Sequence, residues 1–124
     1  MIDFKNASFV KLSPVDSSDF SRLIAPMAVP GEMILQSFRG IRDGVVFTNK
    51  RIFVFNVQGV TGKKKDITSL PYSKIQAFSI ETAGLLDLDS ELELWFSGLG
   101  KVRFEFTAST NVSQICKMIS EIVL

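Results

Sequence analysis

Residues 86–106 read LDLDSELELWFSGLGKVRFEF, and their alternation decides the architecture. Leu86, Leu88, Leu92, Leu94 and Phe96 fall at even positions, while Asp87, Asp89, Glu91 and Glu93 fall at odd ones. A period of two with one dry and one wet face marks a half-buried antiparallel strand. Val102, Phe104 and Phe106 alternate with Lys101, Arg103 and Glu105 in the same way. Between the two runs, Gly98-Leu99-Gly100 predicts a three-residue hairpin loop ending on a left-handed glycine. That register sets Ser97 across from Lys101, Phe96 across from Val102, Leu94 across from Phe104 and Leu92 across from Phe106. All three apolar pairs then share the dry face, so turn chemistry and hydrophobic pattern agree.

Beyond this hairpin the period changes. Asn111 is suited to cap a helix, with Gln114 at the capping-box position. Val112, Ile115, Cys116, Ile119, Ile122 and Val123 then line one apolar face over about three turns. Toward the N-terminus the chain reads as short strands over Glu32–Phe38, Val45–Phe47, Arg51–Val57, Lys65–Leu70 and Lys74–Glu81. Gly40, Asp43-Gly44, Asn49-Lys50, Gln58-Gly59 with Thr61-Gly62, and Pro71 supply the breaks. Phe53 and Phe55 oppose Ile52 and Val54, so that strand is apolar on both faces. An N-terminal helix or a neighbouring subunit could cover the second face. Such a helix is predicted after the capping run Asp16-Ser17-Ser18-Asp19, with Phe20, Leu23, Ile24 and Met27 as its stripe. Pro26 disfavours helical geometry at Ala25 and ends it there. Residues 1–15 show no clean period. The expectation is a mainly β (α+β) chain of about seven antiparallel strands closed by a C-terminal amphipathic helix. Residues 1–30 form an extension with a short helix, and residues 31–124 the domain.

Composition narrows the chemistry. The 124 residues carry a net charge of +1, with 46% hydrophobic and 22% charged side chains, ordinary for one globular domain. Net charge this small marks neither a nucleic-acid nor a membrane binder. No histidine is present, which removes Ser-His-Asp and Cys-His nucleophile systems and His-rich metal sites. Cys116 is alone, so it has no disulfide partner within the chain and reads as packing on the helix's apolar face. No catalytic residue, metal ligand or cofactor is expected. The longest run of strong apolars, Ile52-Phe53-Val54-Phe55, is far too short to span a bilayer. Met1-Ile2-Asp3-Phe4-Lys5 has an early acid and lacks the apolar core of a secretory signal. With a lone cysteine suited to a reducing compartment, the expected location is the cytoplasm.

Four stretches carry a resemblance. Phe47-Thr48-Asn49-Lys50-Arg51-Ile52-Phe53 resembles a strand–turn–strand signature of bacterial pleckstrin-homology domains. Gln58-Gly59-Val60-Thr61-Gly62-Lys63-Lys64, Leu70-Pro71-Tyr72-Ser73-Lys74-Ile75, and Ile80-Glu81-Thr82-Ala83-Gly84 leading to Asp87-Leu88-Asp89 follow in the family's order. The resemblance covers residues 47–89, and the strands and helix after them fit. It implies a partly open barrel with the C-terminal helix plugging one end. It also implies small stand-alone bacterial proteins without catalysis that assemble into homo-oligomeric rings.

Two charged stretches are the candidate surfaces. Arg39, Arg42, Lys50, Arg51, Lys63, Lys64, Lys65 and Lys74 stand against only Asp43 and Asp66. Lys63, Lys64 and Lys65 beside Gly62 could meet a phosphate or anionic lipid at a hairpin tip, or simply protect a solvated hairpin from edge pairing. Glu81, Asp87, Asp89, Glu91 and Glu93 have no cation among them in sequence. Such carboxylates could serve metal binding or hydrolysis, but Leu92 stands where a calcium loop needs glycine. A solvated face or subunit contact is the reading adopted. Trp95, on the same outward face and opposite Arg103 in the register above, has the composition of an interface hot spot or of a local cation–π pair. The separated charges favour head-to-tail packing of identical chains. The chain is therefore expected to be a binding and assembly module, a homo-oligomer of more than two copies that engages a partner protein. The alternative is a membrane-surface adaptor using Lys63–Lys65.

Overall fold

The computed structural model describes residues 1–58 and 64–124. Its elements are β1 (Phe9–Val15), α1 (Ser18–Ile24), β2 (Ile34–Arg39), β3 (Asp43–Thr48), β4 (Arg51–Gln58), β5 (Lys64–Pro71), a single 3-10 turn (Tyr72–Lys74), β6 (Ile75–Glu81), β7 (Ser90–Phe96), β8 (Gly100–Phe106) and α2 (Val112–Val123). The strands form one eight-stranded sheet in the order β5-β4-β3-β2-β1-β8-β7-β6. Every pairing is antiparallel except β1 with β8, which is parallel. β5 and β6, at opposite ends of that order, are joined in sequence through the Tyr72–Lys74 turn. The sheet is thus open between these two strands and curls around one main core. That core gathers Phe38, Phe47, Ile52, Leu92, Leu94, Phe104 and Phe106 with Ile115 and Ile119 of α2.

Seven strands were expected, all antiparallel; the additional one is β1. Its pleat is broken by a bulge between Phe9 and Leu12, where Lys11 takes a left-handed φ of 56°. The two buried residues, Phe9 and Leu12, are therefore three apart and mimic no period of two. β1 is hydrogen-bonded between β2 and β8, and Ile2 and Phe4 ahead of it join the main core. Ile2 N–H donates to Thr68 Oγ1 at 3.1 Å, tying the chain start to β5.

The expected long strand from Leu86 is shorter: β7 begins at Ser90. Leu86 and Leu88 are exposed, not on the dry face. Local turn bonds prevail over the alternation there. Gly84 N–H donates to the Asp87 carbonyl at 2.7 Å, and Asp89 N–H to Asp87 Oδ1 at 3.0 Å. The β7–β8 hairpin also differs from expectation, pairing Phe96 with Gly100, Leu94 with Val102 and Leu92 with Phe104. Its loop is Ser97-Gly98-Leu99, with Gly98 at φ 82° and Gly100 at φ 91°. The slip is two residues, so every side chain keeps its face, and all six apolar residues named in the expected register are buried.

The second apolar face of β4 is covered within the chain. Phe20 and Ile24 of α1 pack on Val46, Phe53 and Phe55 as a separate buried cluster. The Phe20 and Phe55 rings stack at 5.2 Å. Gly44 makes this possible, because a Cβ there would lie 2.5 Å from Phe20 Cζ. At the other end, Asn111 caps α2 by accepting from Gln114 N–H at 3.2 Å, as expected.

A polar tie fixes the base of β4. Arg51 donates to Glu32 through Nε at 3.0 Å and Nη2 at 2.9 Å, and to the Met27 carbonyl at 2.7 Å. Thr48 Oγ1 adds a 2.7 Å bond to the same carboxylate. Arg51 also lies over the Phe53 ring at 4.2 Å. This member of the basic stretch is therefore a structural anchor.

Candidate functional site

The outward face of β7 and β8 carries the predicted acidic and aromatic residues. Alternation places Glu91, Glu93 and Trp95 on one side of β7, with Lys101, Arg103 and Glu105 across from them on β8. Glu93 lies opposite Arg103 and Trp95 opposite Lys101, so the expected Trp95–Arg103 pair becomes a diagonal one. Arg103 forms its ion pair with Glu91, Nε meeting Oε2 at 3.0 Å, and Lys101 reaches Glu93 at 3.4 Å. Bonding to Glu91 pushes the Arg103 guanidinium further up from its ordinary value. Trp95 is 48% exposed beside these pairs. It borders a cavity of about 510 Å³ shared with Phe4, Lys5, Leu99, Lys101 and Arg103.

Asp87 and Asp89 do not continue this ladder. They belong to the connection between β6 and β7, where Leu85, Leu86 and Leu88 are exposed. Asp89 is bonded to Lys11 Nζ at 2.8 Å. That bond, with a second from Glu105, lowers the Asp89 carboxyl, and it raises Lys11. Burial, then the neighbouring Asp89, raises Glu105. The acidic run without cations in sequence is thus largely paired in space, by Lys11 from the bulge of β1 and by Lys101 and Arg103 from β8. Among the described residues no three or more Asp, Glu, Cys or His side chains gather as a ligand set.

The basic stretch divides. Lys63 lies outside the described residues, and Lys64 and Lys65 are exposed at the start of β5. Lys65 stands on the outer face with Arg39, Gly44, Phe55 and Val57. These residues share the ladder pairings Arg39↔Gly44, Gly44↔Phe55 and Val57↔Lys65. Together with Asp19, Phe20, Arg22 and Leu23 of α1 and the β2–β3 turn, they enclose a cavity of about 390 Å³. Asp43 at its edge accepts from Asn56 Nδ2 at 2.6 Å, and burial raises its carboxyl. This cavity was not foreseen. Its parts come from separate segments, and the signal available was the pairing of a two-faced apolar strand with a helix bearing Arg22 and an apolar stripe.

A curled, open eight-stranded sheet with a C-terminal helix packed on its core is a pleckstrin-homology architecture. The bacterial PH domain family model matches residues 3–123, and the chain belongs to that family. It is 40% identical over 103 residues to the uncharacterized protein YjqA of Bacillus subtilis strain 168, covering 82% of each chain. It is 33% identical over 105 residues to the uncharacterized protein YozO of the same strain, covering 85% of this chain and 90% of that one. Among solved structures, it superposes with a TM-score of 0.82 and 38% identity on a DUF1696 family protein with a pleckstrin-homology domain from Shewanella loihica PV-4. That match covers 93% of this chain and 99% of the other. A pleckstrin homology domain from Shewanella amazonensis SB2B gives 0.68 and 38%, covering 96% and 93%. Among the described residues no helix is long and apolar enough to cross a membrane.

Proposed function

We propose that this chain is a non-catalytic binding and assembly module, working in the cytoplasm as a homo-oligomer of more than two copies and engaging a further protein. The observation that carries the reading is exposed apolar surface next to charge. Leu85 and Leu86 are fully exposed and Leu88 is 59% exposed, in a connection ordered by its own hydrogen bonds. Trp95 adds a second exposed apolar group on the β7–β8 face. Apolar groups gathered this way mark interaction surfaces more often than scattered single ones do. The candidate contacts are Asp87, Asp89, Glu91, Glu93, Trp95 and Arg103. Absence of histidine supports the non-catalytic reading.

Light scattering at micromolar concentration tests it, with a mass above two chains expected. The assembly should survive high salt. Exposed ion pairs contribute only about 0–1 kcal/mol each and are screened within about 10 Å at 0.1 M salt, whereas apolar burial is not. A one-chain mass at both low and high salt refutes self-association. Dissociation in high salt alone would show the interface to be electrostatic.

The second reading is an anionic membrane surface, favoured by exposed Lys64 and Lys65, the latter lining one cavity with Arg39, and by Ile41, 96% exposed at the β2–β3 turn. Lys63→Gln, Lys64→Gln and Lys65→Gln together should then abolish binding to acidic liposomes. The expected result is that wild-type protein ignores such liposomes even at low salt; firm, salt-sensitive binding lost in the triple variant would establish the membrane role.

A further inference from the structure

We propose that the free edge of β6 takes up an extended segment of a partner protein as an added strand, in which apolar residues alternate with polar ones that include Lys or Arg. This rests on the reading that the chain engages a further protein, and names the chemistry of that partner. β6 ends the strand order and pairs only with β7. Every second residue of such an edge turns its N–H and C=O outward, where another strand can bond them. Among the described residues no loop or turn backbone bond reaches residues 76–81. The opposite edge is guarded. β5 carries Lys64, Lys65 and Pro71, and Met1 and Ile2 are tied to it through Asp66 and Thr68. β6 has neither lysine nor proline between Ile75 and Glu81.

Both faces of this edge are selective. On the inner face Phe78 and Ile80 are only partly buried at the margin of the main core, with Met118 of α2 beside it. Apolar side chains at alternate positions of an incoming strand complete that margin. On the outer face the register sets Glu81 across from Glu91, and Glu91 across from Glu105. Three carboxyl groups thus share one row. Arg103 bonds Glu91, while exposed Glu81 forms no salt bridge among the described residues. Like charges side by side weaken a sheet, and a Lys or Arg laid beside Glu81 relieves them. Farther along β6, small Ala77 and Ser79 open a cavity of about 300 Å³ that reaches Trp95. A long side chain of the incoming strand can cross it to the exposed indole. Lys101, the cation across from Trp95, is already held by Glu93.

The test titrates the full chain with a synthetic peptide alternating Lys and Val, followed by fluorescence anisotropy and amide hydrogen exchange, with a Glu–Val peptide as the control. The Lys–Val peptide should bind, and the outward amides of residues 76–81 should then exchange about tenfold more slowly. Methylating the peptide's backbone nitrogens at every second residue separates strand addition from charge attraction. One of the two methylation patterns should abolish binding and the other leave it nearly unchanged, since a strand bonds an edge through alternate residues. Glu81→Lys should weaken Lys–Val binding about threefold to tenfold and improve Glu–Val binding, with thermal melting as the control for folding. Strand addition is overturned by equal effects of the two methylation patterns, or by exchange slowed only outside residues 76–81. It is equally overturned if the outward amides are already slow without peptide. Light scattering on the same samples decides assembly separately. A mass above two chains with no peptide binding overturns strand addition alone. A one-chain mass with peptide bound at residues 76–81 overturns assembly alone, and a one-chain mass with no binding overturns both.

Discussion

Ile119→Asp should lower stability by several kcal/mol, because it puts an unpaired carboxylate where no water reaches. Ile119 has no exposed surface and packs with Ile115 and Val112 of α2 against the main core. For a domain of this size that loss should lower the melting temperature by about 10 °C or more. Two controls sharpen it. Ile119→Val removes one methylene and should cost about 0.5–1.5 kcal/mol. Ile122→Asp, on the edge of the same stripe where 36% of the residue is exposed, should be far milder. Thermal unfolding followed by circular dichroism checks all three. An Ile119→Asp protein melting within a degree or two of wild type would mean that α2 does not seal the core.

The elements legible in the sequence are those in which one periodicity runs unopposed. α2 is the clearest case: its cap at Asn111 and its stripe through Ile115 and Ile119 were both found where expected. The β7–β8 faces were equally legible, since a slip of an even number of residues cannot move a side chain across the sheet. Two places failed for opposite physical reasons. In β1 a real strand hid its pattern, because the left-handed Lys11 inserts a residue between Phe9 and Leu12. In residues 86–89 a strand-like pattern was present without a strand. The Asp87 side chain satisfies the backbone locally, and Leu86 and Leu88 remain outside. Site residues were legible as charges but not as partners. Asp89 meets Lys11, 78 positions away in sequence, through a register that only the parallel β1–β8 pairing creates. The cavity under α1 depends likewise on Gly44, which reads as a turn residue and serves as the gap that admits Phe20.

Arg51→Met should be comparably damaging, with a cost that depends on pH. The Glu32 side chain is 1% exposed and receives Arg51, Thr48 Oγ1 and the Val29 N–H. The Arg51 bond is the main cause that lowers its carboxyl from 4.5 to about 2, against the opposing effect of burial. A carboxylate depressed in the folded state contributes stability above its unfolded value, and that contribution is lost as pH falls through 4.5 toward 2. Wild type should therefore weaken over that window by up to a few kcal/mol from this group, one pKa unit corresponding to about 1.4 kcal/mol. Without Arg51 the largest lowering cause is gone, while the Thr48 and Val29 bonds still act against burial. The Glu32 carboxyl is then held higher than in wild type, and its contribution depends less on pH. At about pH 7 the variant should be about 3–5 kcal/mol less stable, the cost typical of removing one partner from a buried pair. The gap should narrow as acid is added, because below about 4.5 the unfolded chain takes up a proton that folded wild-type Glu32 resists, and the variant resists it less. Urea unfolding at about pH 7 and about pH 3 measures both ends of this linkage. An equal gap at the two pH values would show that Arg51 stabilises β4 by stacking on Phe53 and bonding the Met27 carbonyl, with its charge on Glu32 contributing nothing.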